Sequence, residues 1–227
     1  MDFIHMAAVL QGNAATSIDT AKKIATRSAP HLALTAGMQR RFAKPMLTYR
    51  RYAKWDSILE LPDPGDLYLL AQGLWHFVRG SAFVNTGKVA QAELELATLA
   101  KIADLDEMQN VRAWVNSAAS LLDICELVLN GEIATNRENY TAALRYFAHA
   151  IRIEDSMNYM EPPDWGHPVR HDLGALLLTL ERPAEAETVF WEDLRRNPEN
   201  GWALHGVWQS LIQQGKSKRA AEVAARF

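Results

Sequence analysis

Apolar residues recur along almost the whole chain at i, i+3, i+4 and i+7 and hardly ever alternate, a pattern that commits it to helices packed on helices. Trp114, Ala118, Leu121, Leu122, Cys125 and Leu129 form one such stripe, and Ala92, Leu96, Leu99 and Ala103 another. Val169, Leu173, Leu176, Leu177 and Leu180 follow the same spacing, as do Leu204, Val207, Trp208 and Leu211. No Asn-Gly or Asp-Gly turn sits between alternating apolar runs, so the expected fold class is all-α. Breakers cut the helical text into lengths. Pro30, the 62–65 cluster Pro-Asp-Pro-Gly, the 161–164 cluster Glu-Pro-Pro-Asp and Pro198 end periodic segments, because proline lacks a backbone donor and clashes with the preceding turn. Weaker turns lie between them at Gly12, Gly87, Asn136–Asn139, Glu181–Pro183 and Gly215. The simplest reading is one domain over 1–227, made of about six antiparallel helical hairpins at approximately 2–29, 37–61, 66–104, 108–156, 167–197 and 201–227.

Composition narrows the function classes. Of 227 residues, 24 are Lys or Arg and 27 are Asp or Glu, and 48% are hydrophobic. That balance excludes wholesale disorder, and the net charge of −3 leaves no surplus of cations for general nucleic-acid binding. No apolar run reaches the roughly 18 uncharged residues of a membrane-spanning helix. The start, MDFIHMAAVLQGNAATS, has an acid at Asp2 and no basic stretch, so it does not read as a signal peptide. Cys125, the single cysteine, fits a reducing compartment, and a cytoplasmic location is expected.

One segment, DLGALLLTLERPAEAETVFWEDLRRNPEN, carries a repeat pattern. Leu173-Gly174 and Leu177 open it, Ala186 and Phe190 follow after a short turn, and Pro198 closes it. This resembles the 34-residue tetratricopeptide (TPR) repeat, with its L-G…A-x-x-x-F…P order. Small Gly174 and Ala186 suit a close helix crossing, and Phe190 suits the gap to the next hairpin. Degraded copies appear as Gly80, Phe83, Gly87, Ala92 and Leu96, and as Gly131, Tyr140, Ala143, Phe147 and Ala150. A last copy holds Gly215 and Ala220. The first two hairpins are poor copies. The resemblance implies a right-handed α-α superhelix, a solenoid of TPR type. The order of Ile4-His5-x-Ala7-Ala8, Trp75–Gly80, Glu161-Pro162-Pro163-x-Trp165 and NPENGW is also similar to the C-terminal part of bacterial TPR proteins of no assigned role, which raises the expectation of a short relative or a fragment. The ending AAEVAARF lacks a polar cap, and an uncapped last hairpin predicts self-association.

In such a fold the first helices of successive hairpins line a concave groove, and the TPR pattern implies its residues. They are Phe77 and Ser81, Val128 and Glu132, and His171 and Ala175. In the last hairpin strict spacing selects His205 and Gln209, whereas Gly206 would shift the face by two. Asn85 and Asn136, one turn further on, either offer amides to a peptide backbone or end their helices. Trp75, Trp165 and Trp202 are candidate aromatic anchors. Without the Lys/Arg and Asn set of carboxylate-clamping TPR domains, chaperone-type tail binding is not expected. The groove histidines would make binding pH-dependent.

Sites for chemistry are few. His167 and His171 stand four apart beside Asp172, and with His205 they could approach a zinc set, but the bland reading of a capping and a groove-facing histidine is preferred. The 161–166 segment reads either as a rigid lip presenting Trp165 and Glu161 or as a spacer. Arg40-Arg41 and Arg50-Arg51 read as a solvated basic face by default, and Cys125 as a buried inert thiol. No nucleophile elbow, zinc-protease, dinucleotide or P-loop motif occurs. The expected function is therefore a non-catalytic scaffold binding a protein or peptide in the groove, with no cofactor, nucleic acid or membrane. The alternatives are a metal- or small-molecule-dependent enzyme with a histidine-containing groove site, and a self-assembling structural module.

Overall fold

The computed structural model describes every residue from Met1 to Phe227, and it is all-helical, with no strands. Fourteen α-helices follow one another: α1 (Asp2–Leu10), α2 (Ala14–Ser28), α3 (Ala36–Phe42), α4 (Lys44–Arg51), α5 (Trp55–Leu59), α6 (Leu69–Asn85) and α7 (Val89–Ala103), then α8 (Asp106–Asn110), α9 (Ala118–Asn136), α10 (Tyr140–Ser156), α11 (Val169–Thr179), α12 (Pro183–Arg196), α13 (Gly201–Gln213) and α14 (Ser217–Ala224). No helix is long and apolar enough to cross a membrane.

Six links repeat one device. The pairs α1/α2, α4/α5, α6/α7, α9/α10, α11/α12 and α13/α14 are each joined by three residues. In every link the middle residue has positive φ: Gly12, Ala53, Gly87, Glu138, Glu181 and Gly215. The residue after it donates to a carbonyl five positions back, as in Lys88 N to Phe83 O (2.8 Å) and Arg182 N to Leu177 O (2.9 Å). This is the Schellman closure, which satisfies the last carbonyls of the first helix and turns the chain back along it. Glycine adopts the left-handed conformation freely, whereas Glu138 and Glu181 hold it against a steric cost.

Packing between the pairs uses small residues. Ala92, Ala143, Ala186 and Ala220 sit early in the second helix of four pairs and are fully or almost fully buried. Phe190 of α12 is a wedge shared by two helices: a Cβ on Gly174 (α11) or on Gly206 (α13) would lie 2.4 or 2.5 Å from its ring. Gly131 approaches Phe147 in the same way. The α6/α7 pair packs on α9, α10 packs on α11, and α12 packs on α13. A large apolar core runs beneath α3 to α11 and a smaller one beneath α11 to α14, with Leu144 and Leu173 touching both.

Two regions differ from the reading of the sequence. Segment 37–61 holds three short helices, α3, α4 and α5. Pro45 has no N–H to continue α3, and it sits in the first turn of α4, where that donor is not needed. Trp114 lies outside α9, which begins at Ala118 with Ser117 as its cap, and the indole is 52% exposed. The loop before α9 is closed by the isolated bridge Arg112–Ser117.

Two substitutions test this packing by urea denaturation. Gly174→Ala must displace the Phe190 ring, and despite the better helix propensity of alanine it is expected to cost about 1–2 kcal/mol. Glu138→Gly relieves the left-handed residue of an exposed turn and is expected to add about 0.5–1 kcal/mol.

Candidate functional site

Helix α4 is short, and its polar residues point inward. Arg50 is 6% exposed, and its guanidinium draws on three other helices. Its Nε donates to Ser81 Oγ of α6 (3.1 Å), and one amino group donates to Glu132 Oε1 of α9 (2.7 Å) and Asp172 Oδ1 of α11 (3.2 Å). Its flat face lies 4.9 Å from the centre of the Phe77 ring. Burial alone would lower the Arg50 pKa, but the Glu132 and Asp172 carboxylates raise it above the ordinary arginine value, so the cation is permanent.

Arg51 faces the next stretch of chain. It stacks 4.0 Å over Trp202, and one amino group meets His171 Nδ1 at 2.9 Å. The other lies 3.3 Å from the His167 ring nitrogens. An arginine can only donate, so His171 Nδ1 accepts, and Nε2–H is left to donate to Asp193 Oδ2 (2.9 Å). His171 is thereby held as one neutral tautomer. Burial pushes its pKa down, with Asp193 opposing and Arg51 reinforcing. Burial likewise takes His167 down to about 3, against the pull of nearby Asp172. The Asp172 carboxyl is held far below its usual range, because Arg50 and His167 outweigh burial.

The N-terminal helix completes the enclosure. Trp202 Nε1 donates to Val9 O (2.8 Å), and His5 Nε2 meets Thr48 Oγ1 at 2.8 Å. The 157–168 loop is pinned from within by Asp164. One of its oxygens accepts from the Asn116 backbone (3.2 Å) and side chain (3.0 Å), and the other lies 3.2 Å from Arg40 Nε.

The residues implied by the repeat pattern separate into two sets. Phe77, Ser81, Glu132 and His171 are brought together on α4, with Val128 wholly buried one turn below Glu132. Trp202 joins them through Arg51. Ala175, His205 and Gln209 are exposed and stand apart from this cluster. Asn85 turns back to its own helix, donating to Ser81 O (2.9 Å), and Asn136 is exposed at the end of α9. Trp165 does not project from a lip: it is 5% exposed and packs on Phe77, because the loop that carries it is tied down through Asp164. His205 stacks on Trp208 and Phe227, away from His167 and His171, and no group of three His, Cys, Asp or Glu side chains is placed to hold a metal ion. Trp75 donates to Leu61 O (3.2 Å) and serves the contact between α6 and the preceding loop.

Asp172 is legible only as a neighbour of His167 and His171, and Arg40, Arg50 and Asp193 are not legible as site residues. Both arginines read as a solvated face, and their carboxylate partners lie more than a hundred residues away in two cases. The fold and site define a class, an all-α protein of packed helical pairs with a buried arginine–carboxylate–histidine cluster. No family model matches the chain, and no match is found among curated proteins or solved structures.

The histidines make stability pH-dependent with a definite sign. A histidine with a depressed folded pKa stays neutral where the unfolded chain takes up a proton, so stability is intact above about pH 6.5 and falls below it. For His167 the loss between pH 7 and pH 5 is about 2 kcal/mol. In urea titrations at the two values, His167→Asn should lose about that much less than the intact chain.

Proposed function

We propose that the chain is a right-handed α-α superhelix of TPR type and acts as a non-catalytic protein-interaction module. The six equivalent turns, the buried alanines in matching places, and the packing of α6 on α9 and of α11 on α13 support the architecture. One observation carries the functional reading. Phe77, Ser81, Glu132 and His171, four of the residues implied for the groove, converge with Asp172 on the adjacent arginines of a single short helix. The face therefore has the chemistry to hold a helical protein segment: carboxylates for one arginine, neutral histidines and an indole for the next, and aromatic surface beneath. The chain's own α4 takes that place, and a partner segment with an arginine pair would compete for it. A reducing cytoplasm suits the fully buried Cys125.

A synthetic peptide covering 36–59 is the direct probe. Arg50→Ala leaves Glu132 and Asp172 buried and unpaired and is expected to cost about 3–5 kcal/mol. Added peptide should then raise the melting temperature of this variant with the logarithm of its concentration above the Kd, while a peptide with the same arginine replaced does nothing. Combining Arg50→Ala with Glu132→Gln and Asp172→Asn should restore much of the stability and abolish the response. A peptide that neither binds nor stabilises the Arg50→Ala variant would sink the reading.

A further inference from the structure

A small cavity of about 60 Å³ lies among α1, α4 and the 157–168 loop, and it opposes charges unevenly. Arg40, Lys44, Arg50 and Arg51 line it, against Asp164 as the one carboxylate in its wall. Asp164 is taken by Arg40 (3.2 Å), and the carboxylates that satisfy Arg50 lie outside the lining. Lys44 is left with Asp2 at 3.8 Å, a group that Arg41 approaches more closely, at 3.0 Å. Arg51 has no carboxylate within ion-pair reach in the cluster just described.

Apart from Arg40 Nε, which faces Asp164 as an ion pair, two buried donors and one ammonium on this wall have no acceptor. Trp165 Nε1 and Arg51 Nε are buried without a hydrogen-bond partner, and the Lys44 ammonium makes no hydrogen bond in a side chain that is 11% exposed. Buried donors are nearly always paired in folded proteins, so Trp165 Nε1 and Arg51 Nε, orphaned on one cavity beside an ammonium short of partners, point to an acceptor that occupies it. Burial, with Arg40 adding to it, lowers Lys44 to about 8, the response of an ammonium short of counter-charge.

The histidine on the same wall narrows the choice of anion. Thr48 spends its hydroxyl proton on Lys44 O (2.7 Å), so its oxygen accepts from His5 Nε2–H (2.8 Å). His5 Nδ1 is then an acceptor, and burial takes the ring down to about 4, which keeps it one. An oxyanion that also carries a hydroxyl matches three donors and one acceptor. Hydrogen phosphate does so; sulfate and carboxylates do not. One water needs roughly 10–15 Å³ of such space, so the cavity has room for about four, or for one small tetrahedral anion. It shares His5, Val9, Lys44 and Trp165 with an adjoining cleft of about 430 Å³, which gives space for whatever carries the phosphate.

We propose that Lys44, Arg51, Trp165 and His5 form a binding site for a phosphate group that keeps one P–OH, either free hydrogen phosphate or the monoanion of a monoester on a small molecule. The site needs no protein partner, although Arg51 belongs both to it and to the cluster on which the groove reading rests.

Inorganic phosphate titrated into the intact chain in a calorimeter should bind saturably at one site, about tenfold more tightly than sulfate or acetate. Lys44→Met should weaken it about tenfold or more, and Trp165→Phe, which keeps the ring on Phe77, about three- to fivefold. The Trp165 indole proton of the intact chain should shift on titration, a readout that does not depend on either variant folding. A phosphomonoester such as glycerol phosphate binding more tightly than free phosphate would assign the cleft to its carrier, and equal binding would assign the site to the free anion. Absence of saturable phosphate binding, equal binding of sulfate, or an indole proton that does not move would each overturn the proposal.

Discussion

A guanidinium shut away from water ties four helices of this protein together. Burying a cation is costly unless charge and hydrogen bonds replace its hydration. Arg50 recovers that cost only when Ser81, Glu132 and Asp172 stand around it at once, and these belong to the first helices of three successive pairs. Apolar packing along the pairs tolerates small shifts in angle. The arginine cluster does not, because a displaced carboxylate leaves two buried charges unpaired. The relative placement of α4, α6, α9 and α11 therefore depends on one side chain more than on any comparable area of core.

Two kinds of cohesion coexist. Within and between neighbouring pairs the fold is local: a Schellman turn reverses the chain, an alanine permits close approach, and an aromatic such as Phe190 fills the gap beyond. Contacts of this sort lie close in sequence and form quickly. Across the molecule, cohesion is polar and long-range. Trp202 reaches Val9, Arg51 stacks on Trp202, and Arg40 meets Asp164. These groups add to the large apolar core that α3 and α4 share with α11, and through Trp202 they tie α1 to the last pair.

That division explains what could be read from the residues. Helical spacing and the breakers reveal the all-α class, and small residues such as Gly174 and Ala186 with Phe190 mark a crossing that the structure contains. The α4/α5 turn escapes notice because Ala53, not glycine, takes the left-handed position. The buried arginines escape for a deeper reason. A charged residue is assigned to the surface unless its partner is known, and the partners of Arg50 lie 82 and 122 residues downstream. The repeat pattern picks out His171, but Asp193, which sets its tautomer, has no local signal. Trp165 stands out in the sequence as a loop aromatic, while the inward-facing Asp164 beside it, which decides its burial, reads as an ordinary loop acid.

Occupation of the groove face by α4 sets a condition on both proposals. A tethered helix competes at an effective concentration in the millimolar range, so a free segment with the same contacts displaces little of it. A partner must either make contacts that α4 lacks or meet a chain in which α4 has been loosened. Lys44 and Arg51 belong to that same helix, and their placement beside His5 and Trp165 exists only while α4 is seated. A phosphate held there would bind the seated form alone, and by linkage it would oppose any partner that needs α4 displaced. The two faces of one eight-residue helix would then act against each other, with phosphate keeping the groove closed and a competing arginine-bearing segment expelling the anion.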